Sequence, residues 1–230
     1  MPTDSSFIFS KSTTTSGICI EGYNNRLAKE IYIPSEYKGM KVTVIKKMVS
    51  NSISLPVEKI YIPETVEIIC TDAFFGCQSL IEIVVDENNG SYSSDNGVLF
   101  DKQKGVLIYY PLGRYEDYVL PDETLAICDN SFKDSYIKSL TTNNCQTIST
   151  NAFNNVNFMK LIISEPMERL GNSSFVHCVI NDLIYQSKNE NTYRPFYECV
   201  ISKQNFLGED WNYPECYLIN KHIENIWKEK

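Results

Sequence analysis

The sequence lacks the features that are typical of nucleic-acid-binding proteins and of membrane proteins. It has no excess of positive charge, since 21 lysines and arginines stand against 29 aspartates and glutamates, for a net charge of −8. Nucleic acid is therefore not an expected partner, because binding it depends on many Lys and Arg contacts to phosphate. No apolar run reaches the roughly 18 residues of a membrane-spanning helix, and residues 1–17 lack the apolar stretch of a signal peptide. We expect no membrane span, and either a cytoplasmic location or surface display without a signal peptide.

Catalytic and metal-binding signatures are missing as well. The chain contains no Gly-x-Ser-x-Gly, no HExxH and no glycine-rich phosphate loop. Its two histidines, His177 and His222, are far apart in sequence, and no Cys-x-x-Cys occurs, so a zinc site is not expected. We predict no catalytic residue, no metal, no cofactor and no enzymatic activity.

The chain does contain a repeated phrase: an apolar residue, three spacers, a small residue and a phenylalanine. It occurs at Ile69–Phe74, Ile127–Phe132, Ile148–Phe153 and Leu170–Phe175. The phenylalanines are separated by 58, 21 and 22 residues. A period of about 20–29 residues with apolar residues at a fixed phase is typical of leucine-rich repeats. The phrase predicts a leucine-rich repeat solenoid in which phenylalanines of successive coils touch.

Each repeat begins with an extended segment. In 57–63, Ile60 and Ile62 alternate with Lys59 and Tyr61, which is the period-2 pattern of a half-buried strand. We expect such strands to stack in parallel into a curved sheet, with an irregular, 3-10 or extended convex side and few helices. The residues predicted to point inward are Ile60, Ile83, Tyr118, Leu140, Leu161 and Leu183.

The spacing of 58 residues equals one repeat plus about 35 residues. The extra stretch, at about 86–117, has two apolar runs around the polar loop 101–105, which predicts an inserted β-hairpin. The predicted organisation is a polar N-terminal segment (1–17), an opening segment with a first atypical repeat (18–56), the repeats with their insertion (57–185) and a C-terminal cap (186–230). We expect the cap to end in a strand and a short helix.

Four of the eight cysteines occupy fixed positions of the repeat, which favours free thiols over a disulfide framework. Cys70 and Cys128 follow the apolar residue that opens the phrase, and Cys77 and Cys178 come three residues after its phenylalanine. Free cysteine behaves as a small hydrophobe, which suits such positions. We predict free thiols within the repeats. Two further cysteines, Cys199 and Cys216, lie outside them, and their pairing stays open.

Alternation along the strands places two rows of residues on the outward side of the sheet. One row is apolar and aromatic, and the other is mostly charged. Exposed β-branched residues are ordinary on a sheet because they suit its pleat. The alternative is a binding stripe with charges at its rim, since extended apolar patches often mark partner sites. The candidate binding residues are Tyr32, Tyr61, Val84, Val119, Ile162 and Ile184, with Lys59 and Lys160 beside them.

The segment 60–80, which reads IYIPETVEIICTDAFFGCQSL, resembles the repeat of BspA-like leucine-rich proteins of the Treponema pallidum type. The resemblance covers roughly residues 18–185, and the first coil departs from it because Val49-Ser50 replaces Ala-Phe. It implies a surface antigen or adhesin that uses its concave sheet face in cell adhesion, with an extracellular-matrix or host protein as partner. The alternative is an intracellular scaffold or structural repeat protein.

Overall fold

The computed structural model describes residues 4–49, 54–186 and 195–206. These residues form two compact units, the first within Met1–Lys104 and Tyr109–Gly113, and the second within Gly105–Ile108 and Arg114–Lys230. In both units the chain winds as a leucine-rich repeat solenoid of short parallel strands. The strand and helix expected within residues 217–230, and Cys216, lie outside the described residues.

The described residues of the first unit form one short 3-10 helix and ten strands. The helix is Asp4–Ser6, and the strands are Phe7–Lys11 (β1), Ile18–Tyr23 (β2), Glu30–Tyr32 (β3), Glu36–Tyr37 (β4), Met40–Ile45 (β5), Lys59–Ile62 (β6), Ile68–Ile69 (β7), Glu82–Val85 (β8), Tyr92–Asp95 (β9) and Val98–Asp101 (β10).

Two parallel sheets build the coils of the first unit. Strands β2, β5 and β7 form one, and β3, β6 and β8 form the other. Strand β1 pairs antiparallel with β2, and the ring of Phe7 lies 4.8 Å from that of Tyr23. An unpaired strand edge is a template for adventitious pairing. The polar N-terminal segment therefore contributes a strand that covers the edge of β2.

The insertion contains an antiparallel hairpin between β9 and β10. Its two turn residues, Asn96 and Gly97, have φ angles of 46° and 78°. Positive φ at both positions is the type I′ geometry that Asn-Gly favours. The two apolar runs identified in the sequence form β10 and the next strand, Val106–Tyr109 (β11), whereas β9 was not anticipated.

Strand β11 (Val106–Tyr109) contributes three residues to the second unit and Tyr109 to the first. Eleven further strands follow among the described residues of the second unit. They are Asp117–Val119 (β12), Ala126–Ile127 (β13), Tyr136–Thr141 (β14), Thr147–Ile148 (β15), Phe153–Asn154 (β16), Asn157–Ile163 (β17), Arg169–Leu170 (β18), Phe175–Val176 (β19), Val179–Tyr185 (β20), Phe196–Tyr197 (β21) and Val200–Phe206 (β22).

Three parallel sheets run along the second unit. Their strand orders are β12-β14-β17-β20-β22, β11-β13-β15-β18 and β16-β19-β21. The last two sheets consist mainly of two-residue strands. This agrees with the sequence-based expectation that the convex side of the solenoid is extended or irregular rather than helical. No α-helix occurs among residues 4–49, 54–186 and 195–206. Residues 195–206, which fall within the predicted cap, add one more coil through β21 and β22.

A stack of phenylalanine rings lies in the core of the second unit. Neighbouring ring centroids lie 4.8 Å apart for Phe132–Phe153, 4.6 Å for Phe153–Phe175 and 4.7 Å for Phe175–Phe196. These four side chains are at most 9% exposed. The predicted contact between repeat phenylalanines is confirmed here, and Phe196 extends the stack by one ring.

In the first unit the repeat phenylalanine Phe74 is also buried. Its ring lies 5.1 Å from that of Tyr109, a residue of the insertion. Val49, which takes the place of the small residue before the phenylalanine, is buried as well. The atypical first coil therefore still packs an apolar side chain at the position of that small residue. Its neighbour Ser50 lies outside the described residues.

The long strands begin with an irregularity that sets which residues face the core. The amides of Lys138 and Ser139 both donate to the carbonyl of Glu116, at 3.2 and 3.3 Å. Because two successive amides share one carbonyl, the inward–outward alternation shifts by one residue here. Ile137 and Leu140, three residues apart, therefore both point inward and are fully buried. All six predicted inward residues are buried, with Tyr118 the most exposed at 6%.

The predicted free thiols are present at the buried repeat positions. Cys77 and Cys178, which follow a repeat phenylalanine by three residues, are free and at most 1% exposed. The Cys178 thiol donates to the carbonyl of Phe153 in the preceding coil at 3.3 Å. Cys199 has the same phase relative to Phe196, and its thiol donates to the Phe175 carbonyl at 3.4 Å.

Candidate functional site

The outward side of β3, β6 and β8 carries a flat aromatic surface, which we call the tyrosine face. It consists of Tyr32, Tyr61 and Val84, aligned in register, and of the neighbouring row Glu30, Lys59 and Glu82. The rings of Tyr32 and Tyr61 are stacked, with centroids 4.1 Å apart and planes 6° from parallel. Tyr32 is 48% exposed. A large aromatic surface is therefore held open to solvent in a fixed orientation.

Charged groups border the two rings. The Tyr32 hydroxyl donates to Glu30 at 2.9 Å, and Lys59 lies 2.9 Å from Glu82 with its ammonium 5.1 Å from the Tyr61 ring centre. The hydrogen bond with Tyr61, followed by that with Glu30, raises the pKa of the Tyr32 phenol. The hydrogen bond to Glu82 is the main cause that raises the pKa of Lys59. The phenol thus stays neutral and the ammonium charged near neutral pH.

A second outward surface lies on the five-stranded sheet of the second unit, and we call it the aliphatic face. Its first row is Val119, Thr141, Ile162 and Ile184, and its second row is Asp117, Ser139, Lys160 and Asp182, with Lys203 beside Asp182. Val119 is 58% exposed, while Ile162 and Ile184 are partly exposed. The structure places the candidate residues in the predicted rows, divided between two sheets in two units.

Sequence reasoning missed an exposed tyrosine pair at the start of the second sheet. Tyr115 and Tyr136 are 55% and 52% exposed, and their ring centroids lie 5.3 Å apart. Tyr115 precedes β12, and Tyr136 is the first residue of β14, before the strand irregularity. The signal available in the sequence was their separation of 21 residues, which equals one repeat.

His, Cys, Asp and Glu side chains are the groups that could bind a metal or act as nucleophiles. No cluster of three or more His, Cys, Asp or Glu that could hold a metal occurs in the part of the chain that the structure describes. His177 is solvent-exposed and lies 3.1 Å from Glu198. Burial raises the pKa of the Cys77 and Cys145 thiols to about 12, so neither is a ready nucleophile.

The family to which the repeats belong follows from a comparison with known protein families. The model of the BspA-type leucine-rich repeat region matches in six copies, over residues 43–96 and 108–211. The chain belongs to this family. Leucine-rich repeat solenoids of this kind are typically non-enzymatic and present extended surfaces for protein interaction. Within the described residues, no helix has the length and apolarity needed to cross a membrane.

Solved structures show the same fold at low sequence identity. A leucine-rich repeat protein from Eubacterium ventriosum is 18% identical with a TM-score of 0.54, over 71% of this chain and 46% of its own. The pneumococcal vaccine antigen PcpA is 23% identical with a TM-score of 0.50, over 74% of this chain and 50% of its own. The chain thus spans about half the length of each. None of the curated proteins compared with it matches.

Proposed function

We propose that this chain is a non-enzymatic protein-binding module that uses the outward faces of its parallel sheets. The observation that carries the proposal is the stacked pair Tyr32–Tyr61, whose planes are 6° from parallel and whose outer ring is 48% exposed. Tyrosine is among the residues that contribute most to protein interfaces. The two rings stack on each other and the Tyr32 hydroxyl donates to Glu30, so these side chains are already ordered and little side-chain entropy would be lost on binding.

The proposed role is that of an adhesin or surface antigen bound to an extracellular-matrix or host protein. The resemblance of segment 60–80 to BspA-like repeats supports it, and one protein of similar fold is a pneumococcal vaccine antigen. The outward rows would supply the contact surface, with Lys59 and Glu82 at the rim of the tyrosine face.

Substitutions on both faces test this proposal. Surface plasmon resonance would measure binding of the intact chain to immobilised fibronectin, laminin and collagen, for the parent and for the variant Tyr61→Asp/Ile162→Asp. We expect the parent to bind at least one of them and the variant to bind it at least tenfold more weakly, because a charge would replace an apolar contact on each face.

The matched control is Leu27→Asp/Leu125→Asp. These two leucines are 89% and 45% exposed and belong to neither face, one in each unit. The control should bind like the parent. A folded Tyr61→Asp/Ile162→Asp variant that binds as tightly as the parent would remove the two faces from the binding site, and a parent that binds none of the three proteins would remove the adhesin role.

The free buried thiols favour a second candidate function, an intracellular scaffold. Disulfides persist in oxidising compartments, and Cys19, Cys77, Cys145 and Cys178 are buried free thiols. Titration of the unreduced chain in denaturant discriminates between the two. Reaction of all eight thiols fits a scaffold in a reducing compartment, whereas several bridges among them fit export.

A further inference from the structure

Strand β3 ends the sheet β3-β6-β8, and among the described residues no strand pairs with its outer side. The other parallel sheet of this unit differs, because its first strand, β2, is covered by β1. Natural proteins usually cover or blunt a strand edge, since an open edge is a template for pairing with another chain. In the described part of the chain, β2 is protected in this way and β3 is left accessible.

The backbone groups on the open side of β3 belong to Glu30 and Tyr32, and we call them the β3 edge. The carbonyl of Lys29 accepts from an amide of β6 at 3.1 Å, and the amide of Ile33 donates to a carbonyl of β6 at 3.0 Å. Alternate residues of a strand direct their backbone groups to the same side, so Glu30 and Tyr32, between these two, direct theirs away from β6. Their amides and carbonyls make no hydrogen bond to any described residue. Two donors and two acceptors are therefore available to an added strand.

Strand β8 shows how the same positions are used when a strand does precede them. Glu82 and Val84 hold the places in β8 that Glu30 and Tyr32 hold in β3. Lys59, on the preceding strand, stands in register with Glu82, and its ammonium lies 2.9 Å from that carboxylate. By the same register, a strand added before β3 would place a side chain beside Glu30.

The exposed carboxylate of Glu30 has no cationic partner among the described residues. Its neighbour in register, Lys59, pairs instead with Glu82 on the opposite side of β6. The preceding residue, Lys29, pairs with Glu58 at 2.5 Å. The outward row Glu30, Lys59 and Glu82 thus has two acids and one base. A basic side chain beside Glu30 would continue its alternation of charge.

The ring of Tyr32 lies next to this carboxylate. One face of the ring stacks on Tyr61, and the other faces the open side because β3 is the end strand. The Tyr32 hydroxyl donates to Glu30 at 2.9 Å. A cation held by Glu30 would therefore have an aromatic ring within reach, as the Lys59 ammonium has the Tyr61 ring 5.1 Å away.

We propose that an extended segment of a partner protein adds to β3 as a further strand, with a Lys or Arg side chain beside Glu30 and the ring of Tyr32. This inference rests on the proposed protein-binding function and names the edge that is used and the chemistry of the partner. In strand addition, main-chain hydrogen bonds supply affinity and alternate side chains supply specificity. An acidic segment is disfavoured, because it would place like charge beside Glu30.

Peptide selection on the intact chain tests the proposal. A display library of random twelve-residue peptides would be selected on the folded protein, and a synthetic copy of the strongest sequence measured by fluorescence anisotropy. We expect the selected peptides to carry Lys or Arg among β-branched and aromatic residues, which suit an extended strand. The synthetic peptide should bind Glu30→Lys at least tenfold more weakly than the parent.

The control variant is Glu67→Lys, which makes the same change of net charge at another exposed residue of the same unit. Glu67 lies beside the other sheet, where its amide donates to the carbonyl of Thr43 on β5 at 2.8 Å. This variant should bind the peptide within about threefold of the parent. Thermal melting of both variants would establish that they are folded.

Methylation of the peptide's own backbone amides distinguishes strand addition from other modes of binding. Only alternate amides of an added strand face β3. Two synthetic peptides would be compared, each N-methylated at one of the two alternate sets of residues. One should lose measurable binding, and the other should bind within about fivefold of the unmethylated peptide.

The possible failures are distinguishable. Selected peptides that bind Glu30→Lys like the parent, or that tolerate both sets of methyl groups, would overturn this inference. If those peptides lose binding to Tyr61→Asp/Ile162→Asp, the proposed function stands. Selection of no peptide that depends on the β3 edge or on either outward face would overturn both. Dimers of the chain that the peptide dissociates in analytical ultracentrifugation would assign the β3 edge to a second copy and overturn the inference.

Discussion

The residue three positions after the repeat phenylalanine is buried, and in two repeats it ties neighbouring coils together. Cys178 and Cys199 follow their phenylalanines by three residues, and each donates its thiol hydrogen to the phenylalanine carbonyl of the preceding coil. Ser135 has the same phase, and its hydroxyl donates to the carbonyl of Phe132 in its own coil. Val156 has the same phase after Phe153 and is fully buried, so the position needs a buried side chain of limited size, and cysteine or serine there adds a hydrogen bond. The burial was predictable from the sequence, but the hydrogen bonds were not, because they depend on which carbonyl the coil geometry brings near.

The buried thiols predict a pattern of alkylation. Cys77 and Cys145 are fully buried with a pKa raised to about 12, whereas Cys70 is only half-buried, although burial raises its pKa too. Since the thiolate is the reacting form, iodoacetamide at about pH 8 should modify Cys70 well before Cys77 or Cys145 in the native chain. Peptide mass spectrometry measures this.

The same treatment in denaturant serves as the control, and there the three cysteines should react at similar rates. If native Cys77 were labelled as fast as Cys70, the burial of the position after the repeat phenylalanine would be contradicted.

At the scale of single elements, the insertion depends on one asparagine. Asn89 is fully buried, and its amide donates to the carbonyls of Pro63 and Val66 at 2.8 and 3.0 Å. Its side-chain oxygen accepts from the backbone amides of Ser91 and Tyr92, at 2.9 and 2.8 Å. Four hydrogen bonds therefore fix the chain just where β9 begins.

The sequence predicted that an insertion exists but not how it is held. The hairpin strand β9 reads Tyr-Ser-Ser-Asp, which has little of the apolar alternation that identifies a strand. It forms because the Asn96-Gly97 turn favours a tight hairpin and because β10 supplies buried Val98, Leu99 and Phe100. Tertiary contacts override the weak local preference of β9.

Replacing the anchoring asparagine should destabilise the first unit. Asn89→Asp keeps an acceptor but leaves the carbonyls of Pro63 and Val66 without a donor and buries a carboxylate beside them. Each unsatisfied buried polar group costs about 1–3 kcal/mol, so we expect the free energy of unfolding to fall by at least about 2 kcal/mol. Urea denaturation measures this change.

The matched control is Asn172→Asp, at an exposed asparagine in the other unit. Surface substitutions of this kind usually change stability by no more than about 0.5 kcal/mol. Equal stability of the two variants would contradict the anchoring role of Asn89.

At the scale of the whole molecule, the repeat period sets which residues face the core and which face solvent. The spacing of Phe132, Phe153 and Phe175 predicted a ring stack, and the alternation along the strands predicted the two outward rows. The Tyr32–Tyr61 stack was not predictable, because it depends on the register between strands and on side-chain conformation. Tyr115 and Tyr136 were missed because they precede the alternating part of their strands.

The central claim is that successive coils stack in register, so that phenylalanines touch inside and the outward rows align. A double-mutant cycle in denaturant unfolding tests it most directly, with Phe153→Leu, Phe175→Leu and the double variant. Their rings are 4.6 Å apart and 4° from parallel, and such aromatic pairs couple by about 0.5–1.5 kcal/mol.

The control cycle uses Phe132 and Phe196, which belong to the same stack but are separated by two rings. Distant sites are additive within about 0.5 kcal/mol, so this pair should show no coupling. We predict coupling for the adjacent pair and additivity for the separated pair. Additive effects of Phe153→Leu and Phe175→Leu would contradict the stacked coils and, with them, the alignment of the outward faces.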